Sequence, residues 1–168
     1  GLLGSGGLTG SAWTITVVVA ALSLGGLLEK TGVLAVLAHE LAQSVRSIGG
    51  LVAGTGAAAI VTNVLTAQQY MSIVVPGLTL RDVYDEYGLD NEDLSQAIES
   101  AGTPTGALIP WHAGAVYMAE VTGVATTAYA PYYLFGILSP IVLFTIAATG
   151  IGLPDSSSSS TTTPSAAD

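Results

Sequence analysis

The sequence contains no cysteine and few charged side chains. Its 168 residues include three Lys or Arg and twelve Asp or Glu, which give a formal net charge of −9. Without cysteine the chain has no disulfide, thiolate metal site or cysteine nucleophile, and its redox compartment cannot be inferred. Three basic residues cannot neutralise a phosphate backbone, so a nucleic-acid-binding protein is excluded.

Most of the chain lies in segments that lack Asp, Glu, Lys and Arg altogether. These segments are residues 1–28, 47–80, 100–119 and 121–154. Charged residues make up 9% of the chain, whereas about a quarter of a soluble domain is charged. Long uncharged apolar segments are typical of the bilayer, where a charge costs several kcal/mol. The sequence therefore predicts an all-α, multi-pass integral protein of the cell membrane and excludes an ordinary soluble enzyme.

We predict one membrane domain at residues 1–152 and a disordered Ser/Thr-rich tail at 153–168. The chain begins with Gly1 and not with Met, and no basic region precedes its first apolar segment. We therefore expect it to be the C-terminal part of a longer protein. The predicted elements of the membrane domain, in order, are a span at 11–28, an amphipathic interfacial helix at 31–46, a re-entrant hairpin at 47–80, an acidic connector at 81–100, a broken span at 101–124 and a span at 131–152.

The hairpin prediction depends on the length of the uncharged segment 47–80. A membrane helix needs about 20 residues, so this segment is too long for one span and too short for two with a turn. Two apolar limbs flank its polar middle, which favours a re-entrant hairpin in contact with protein or a water-filled cavity. A single long, tilted and broken span is the alternative. The polar residues of this middle are Thr62, Asn63, Thr66, Gln68 and Gln69.

The segment 101–124 is also interrupted, first at residues 103–106 (TPTG) and then at 110–112 (PWH). Proline removes a backbone donor and clashes with the preceding turn, which predicts a discontinuous helix. Secondary transporters bind substrates and coupling ions at such breaks. The polar residues of both breaks are therefore candidate cation or substrate ligands, although they could instead satisfy freed backbone groups or link helices. From the second segment they are Thr103, Thr105 and Trp111.

His112 and Glu120 are the titratable residues, tyrosines aside, that the sequence places near mid-membrane. An ionisable residue at that depth is a functional candidate, and histidine changes protonation near neutral pH. Both are therefore candidate proton carriers, although Glu120 could be a solvated acid at the membrane edge. The sequence shows no nucleophile–base pair and no metal constellation, so we predict neither an enzyme nor a bound cofactor.

Residues 62–70 (TNVLTAQQY) and 102–112 (GTPTGALIPWH) resemble the NhaC-type Na⁺/H⁺ antiporters of the ion transporter superfamily. The similarity covers roughly residues 20–150. The resemblance implies one of two inverted repeats, in the C-terminal half of a transporter that exchanges Na⁺ for H⁺ and needs its missing N-terminal half. One departure is His112, because the family leads us to expect Asn after the Ile-Pro-Trp triplet.

Three functions follow as hypotheses. In the leading one, Asn63, Thr66 and Gln68 bind Na⁺ while His112 or Glu120 exchanges protons. In the second, the cargo is a small carboxylate or amino acid, and Thr103 and Thr105 hold its anionic group. In the third, the protein is a structural or regulatory membrane subunit that transports nothing, and its polar breaks are sealed by helix contacts. The sequence leaves open the transport stoichiometry, the orientation in the membrane and the oligomeric state, including whether the protein is a homo-oligomer.

Overall fold

The computed structural model describes residues 11–43, 47–151 and 153. No strand occurs among them, so the predicted all-α class is confirmed. The predicted end of the interfacial helix at 44–46 and nearly all of the predicted tail lie outside the described residues. The elements are α1 (Ala12–Lys30), α2 (Val33–Gln43), α3 (Ile48–Thr66), α4 (Gln69–Glu86), α5 (Asn91–Thr105), a 3-10 turn (Gly106–Leu108), α6 (Ala113–Thr122), α7 (Thr126–Tyr129), a second 3-10 turn (Ala130–Tyr132) and α8 (Leu134–Thr149).

Helix α3 lies at the centre and contacts α1, α2, α4, α5 and α8. Its sequence is rich in Gly, Ala and Thr, which allow helix backbones to approach closely in a membrane protein. A Cβ atom at Gly56 would lie 2.6 Å from a methyl group of Leu143 in α8, and one at Gly49 would lie 2.1 Å from the backbone oxygen of Ala147. The crossing of α3 and α8 therefore requires glycine at position 49, where the atom met is backbone, whereas a methyl group at position 56 would require the Leu143 side chain to move.

Two helices in the described part of the chain, α1 and α3, are long and apolar enough to cross a membrane. A third candidate is the pair formed by residues 126–132 and α8, which is bent by 58°. Large apolar side chains on α1 face outward, including Trp13 with 76% of its surface exposed and Leu27 with 64%. Such a surface is suited to lipid, or to another apolar part of the same protein, and not to water.

The segment 47–80 forms two antiparallel helices. The Tyr84 hydroxyl, near the end of α4, donates to Thr55 Oγ1 in the first half of α3 at 2.9 Å, so the chain reverses between the two helices. Helix α3 continues through the predicted polar middle to Thr66 and ends at Ala67, which has a left-handed φ of 56°. Its limb is longer than the half-length limb predicted, since residues 62–66 stay helical, and the Thr66 hydroxyl donates to the Thr62 carbonyl within the helix at 2.8 Å. Whether this pair enters and leaves on one side of the membrane stays a prediction.

Helix α5 continues through Pro104, where the sequence predicted an interruption. Proline has no N–H, so the carbonyl four residues earlier, that of Ser100, loses its helical partner. The Ser139 hydroxyl of α8 donates to that carbonyl at 2.7 Å. This contact between helices supplies the partner that Pro104 cannot, and α5 extends to Thr105. The irregular backbone lies at residues 109–112, before α6 begins.

Candidate functional site

The two polar breaks meet in the folded chain. The Trp111 indole Nε1 donates to the Val64 carbonyl at 2.8 Å. The backbone N–H of Ala113, the first residue of α6, donates to the Ala67 carbonyl at 3.1 Å. The end of α3 is thus held against the break between α5 and α6. We call this meeting place the junction, and define it as residues 63–67 together with 102–114.

Asn63 links the two sides of the junction with its side chain. It is fully buried, and its Nδ2 donates to the Gly102 carbonyl of α5 at 2.9 Å. The same nitrogen lies 3.5 Å from Thr105 Oγ1, a distance at which a hydrogen bond is weak. Asn63 Oδ1 is buried and has no hydrogen-bond partner.

His112 caps α6 from the other side of the junction. Only 4% of its surface is exposed, and its Nδ1 accepts the backbone N–H of Gly114 at 3.1 Å. A ring nitrogen that accepts a hydrogen bond carries no proton, so the neutral ring has its proton on Nε2. Nε2 is buried without a partner. Among the described residues, the only buried side-chain N or O atoms without a partner are this nitrogen and Asn63 Oδ1.

Gly106 packs closely against both of these side chains. A Cβ atom at Gly106 would lie 3.0 Å from His112 Cε1, 3.1 Å from His112 Nε2 and 3.3 Å from Asn63 Nδ2. A methyl group would crowd all three atoms, so the absence of a side chain at Gly106 allows Asn63 and His112 to pack this closely against the backbone. Sequence reasoning missed Gly106 and Gly102 as site residues, although both lie in the GTPTG motif.

Thr62, Thr66 and Thr105 are buried at the junction or beside it. The hydroxyls of Thr66 and Thr105 donate to carbonyls of their own helices, those of Thr62 and Ala101, at 2.8 and 2.7 Å. Their oxygen atoms can act only as acceptors toward a further group. Both hydroxyls therefore hydrogen-bond to backbone carbonyls, which is the alternative role that the sequence left open for these threonines.

The structure does not bring the other predicted site residues into this hydrogen-bond network. Thr103 Oγ1 donates to Glu99 Oε2 at 3.1 Å along α5. Glu120 is exposed, and its Oε1 accepts from the Ser11 hydroxyl at 2.6 Å, just before α1. Gln69 is exposed and Gln68 is half-buried beside Thr66, whose Oγ1 accepts the Gln68 backbone N–H at 3.3 Å.

Discontinuous helices that meet at their breaks are a feature of secondary transporters, and comparison with known proteins gives the same class. The Na⁺/H⁺ antiporter family matches residues 1–151, and the chain belongs to this family. The resemblance noted in the sequence is thereby confirmed. Family membership and the apolar helices identify a multi-pass protein of the cell membrane, and they point to a transporter rather than an enzyme.

Three curated relatives have names that specify different substrates. The chain is 52% identical over 89% of its length to an arginine/ornithine antiporter of Halobacterium salinarum. It is 35% identical over 91% of its length to the Na⁺/H⁺ antiporter NhaC of Alkalihalophilus pseudofirmus, and 35% identical over 79% to a malate-2H⁺/Na⁺-lactate antiporter of Bacillus subtilis. The matches cover 31%, 33% and 28% of these relatives, so the chain spans about a third of their length. No solved structure matches the chain.

Proposed function

We propose that this chain belongs to a secondary antiporter, and that the junction forms part of its substrate site. The observation that carries the proposal is the pair of buried, unpaired atoms Asn63 Oδ1 and His112 Nε2, which belong to side chains that both pack against Gly106. An unpaired buried polar group costs roughly 1–3 kcal/mol. Such groups call for a functional reason, and a bound substrate would supply the missing partners.

The first candidate exchange is Na⁺ for H⁺. The family name and the NhaC relative support it. In this case Asn63 Oδ1 and the oxygens of Thr66 and Gln68 would contribute to a Na⁺ site, because oxygen atoms are the ligands of hard cations. His112 would be the residue that binds and releases the proton, and the rest of the transporter would supply further ligands.

The second candidate is exchange of an amino acid, which two observations favour. The relative with 52% identity is named an arginine/ornithine antiporter. In addition, the two carboxylates nearest in sequence to His112, those of Glu99 and Glu120, accept hydrogen bonds from Thr103 and Ser11. The junction itself contains no Asp, Glu, Lys or Arg, which suits a substrate that carries its own charges.

A subunit that does not transport is supported less well. That hypothesis expects polar breaks sealed by helix contacts. Contacts do join the breaks through Trp111 and Ala113, but they leave Asn63 Oδ1 and His112 Nε2 without partners.

The experiment is exchange by the full-length transporter in proteoliposomes, with Asn63→Ala and the matched control Asn91→Ala. Asn91 is exposed at the start of α5. Two assays are run: collapse of a preset pH gradient on addition of Na⁺, and counterflow of labelled arginine against ornithine. We expect Asn63→Ala to lower the active exchange at least tenfold and Asn91→Ala to leave it unchanged. Wild-type activity of Asn63→Ala in both assays would contradict the proposal.

A further inference from the structure

We propose that the cavity between α5 and α8 binds a membrane phospholipid with an ammonium headgroup. One acyl chain lies against α8, and the ammonium group lies beside Asp93. The cavity has a volume of about 420 Å³, which is within the range of ligand sites in proteins. None of the residues that the structure describes at the junction lines it. The lipid site is therefore separate from the substrate site proposed above.

The cavity has an apolar floor and an apolar wall. The floor is formed by Val52, Ala97 and Leu143, which are buried in one hydrophobic cluster. The wall is a stripe of large apolar side chains, three or four residues apart on α8, at Phe135, Leu138, Val142 and Ile146. The first three of these side chains are more than half exposed. Such a surface is suited to hydrocarbon and not to water.

The size of the wall side chains favours an acyl chain over a further helix as the occupant. Helices that pack together in a membrane meet at small residues, as α3 and α8 do at Gly49 and Gly56. The wall on α8 consists of Phe, Leu, Val and Ile instead. Large side chains keep a facing helix at a distance, whereas a flexible acyl chain can follow their uneven surface.

The polar lining lies at the end of the cavity that is nearest to water. Asp93 and Gln96 are in the first two turns of α5, directly after residues 82–92, which include five acids and therefore belong outside the bilayer. Ser100 lies roughly 10 Å further along α5, where its carbonyl accepts from the Ser139 hydroxyl of α8. The cavity thus runs from an aqueous end at Asp93 to an apolar end near Ser139, which is how a phospholipid lies in a bilayer.

Charge at the aqueous end favours an ammonium group over an anionic head. Residues 81–99 contain seven acids and one base, Arg81, whereas sites for anionic lipid heads are basic. Asp93 Oδ2 accepts the backbone N–H of Asp90 at 3.0 Å. A carboxylate has about four acceptor positions, so Asp93 can accept from an ammonium group as well. The apolar wall and the acidic end therefore favour the two parts of one ligand.

The test uses the full-length transporter in phosphatidylcholine vesicles that contain a small fraction of a photoreactive lipid. This lipid is phosphatidylethanolamine or phosphatidylglycerol, with the same diazirine-bearing acyl chain in both. Peptide mass spectrometry locates the labelled residues after irradiation. Lipid that surrounds the protein can label Ile141, which is 52% exposed and does not line the cavity. A lipid must enter the cavity to label Ala97 and Leu143 in its buried floor.

We expect phosphatidylethanolamine to label the floor about tenfold more than phosphatidylglycerol, a preference that one charge-assisted hydrogen bond supplies. Asp93→Asn keeps an oxygen for the Asp90 N–H and should abolish this preference. Its control, Glu92→Gln, changes an exposed acid outside the cavity and should keep the preference. Val142→Trp should fill the cavity and lower floor labelling to background. Ile141→Trp, at an equally exposed position of the same helix, should leave floor labelling unchanged.

Two results would overturn the proposal. Labelling at Ile141 with none at the floor would show that lipid does not enter the cavity, as expected if the rest of the transporter covers it. Equal labelling of the floor by both lipids, unchanged in Asp93→Asn, would show that the headgroup is assigned wrongly. Size-exclusion chromatography identifies a misfolded Val142→Trp, in which case the two lipids in wild type and Asp93→Asn decide the question.

Discussion

Helices α1 and α3 have the same length and the same mean hydropathy, yet they occupy opposite environments. Half of α3 is buried inside the fold, whereas almost none of α1 is. The difference lies in side-chain size and polarity. Helix α1 displays large apolar residues such as Trp13 and Leu27, while α3 has Gly49 and Gly56 at close crossings and Asn63 at the junction. Hydropathy identifies a membrane helix, and small and polar residues identify the one that organises the site.

The largest effect on stability that separates α3 from α1 is expected for a substitution at Gly49. A Cβ atom there would lie 2.1 Å from the Ala147 carbonyl oxygen, which is backbone and cannot move aside cheaply. We expect Gly49→Ala to lower the free energy of unfolding by about 3 kcal/mol or more. Gly26→Ala in α1 should have little effect, since its Cβ meets nothing. Thermal melting of purified protein, followed by size-exclusion chromatography, measures both. Equal melting temperatures for the two variants would show that the α3–α8 crossing is wrong.

A smaller effect is expected at Ser139, whose hydroxyl donates to the carbonyl of Ser100 that Pro104 leaves free. Ser139→Ala should cost about 1–2 kcal/mol, the cost of an unpaired carbonyl. The effect should shrink when Pro104→Ala is also present, because alanine at that position supplies the missing N–H. A double-mutant cycle on the melting temperature measures this coupling. The control is Ser23→Ala in α1, where the hydroxyl bonds only to its own helix at Val19. Additive effects of the two substitutions would contradict this account of Pro104.

A third effect depends on pH and involves Tyr84, which lies near the end of α4 and outside the candidate membrane spans. Burial, partly offset by the hydrogen bond to Thr55, raises the pKa of Tyr84 to about 12 from 10.0. Because the folded state disfavours the phenolate, the neutral Tyr84 side chain contributes to stability. This contribution is fully present below pH 10 and is lost as the pH rises from 10 toward 12. Wild type should therefore lose stability over that range more than Tyr84→Phe does. The same pH dependence in both proteins would contradict the assignment, and Tyr70→Phe, at an exposed position, is the control.

The sequence predicted where the polar breaks lie, because polar residues and prolines inside uncharged segments are local signals. It did not predict that the breaks meet, since this depends on α3 packing between α5 and α8. Thr103 illustrates the limit. The sequence predicts an interruption at residues 103–106 and places Thr103 among the site residues, but α5 continues through Pro104 and Thr103 bonds to Glu99 instead. Gly106 was missed because its contribution is the lack of a side chain.

The central claim is that the two breaks meet, and the absence of cysteine from this chain allows a direct measurement. The backbones of Ala67 and Ala113 are joined by a 3.1 Å hydrogen bond, so their Cα atoms are close enough for a disulfide. Ala67→Cys with Ala113→Cys should form one under mild oxidation in the membrane. After denaturation the pair should then resist labelling by a maleimide polymer until it is reduced. The pair Ala67→Cys with Ala148→Cys, on the exposed surface of α8, should label fully. Full labelling of the first pair, equal to the control, would contradict the account.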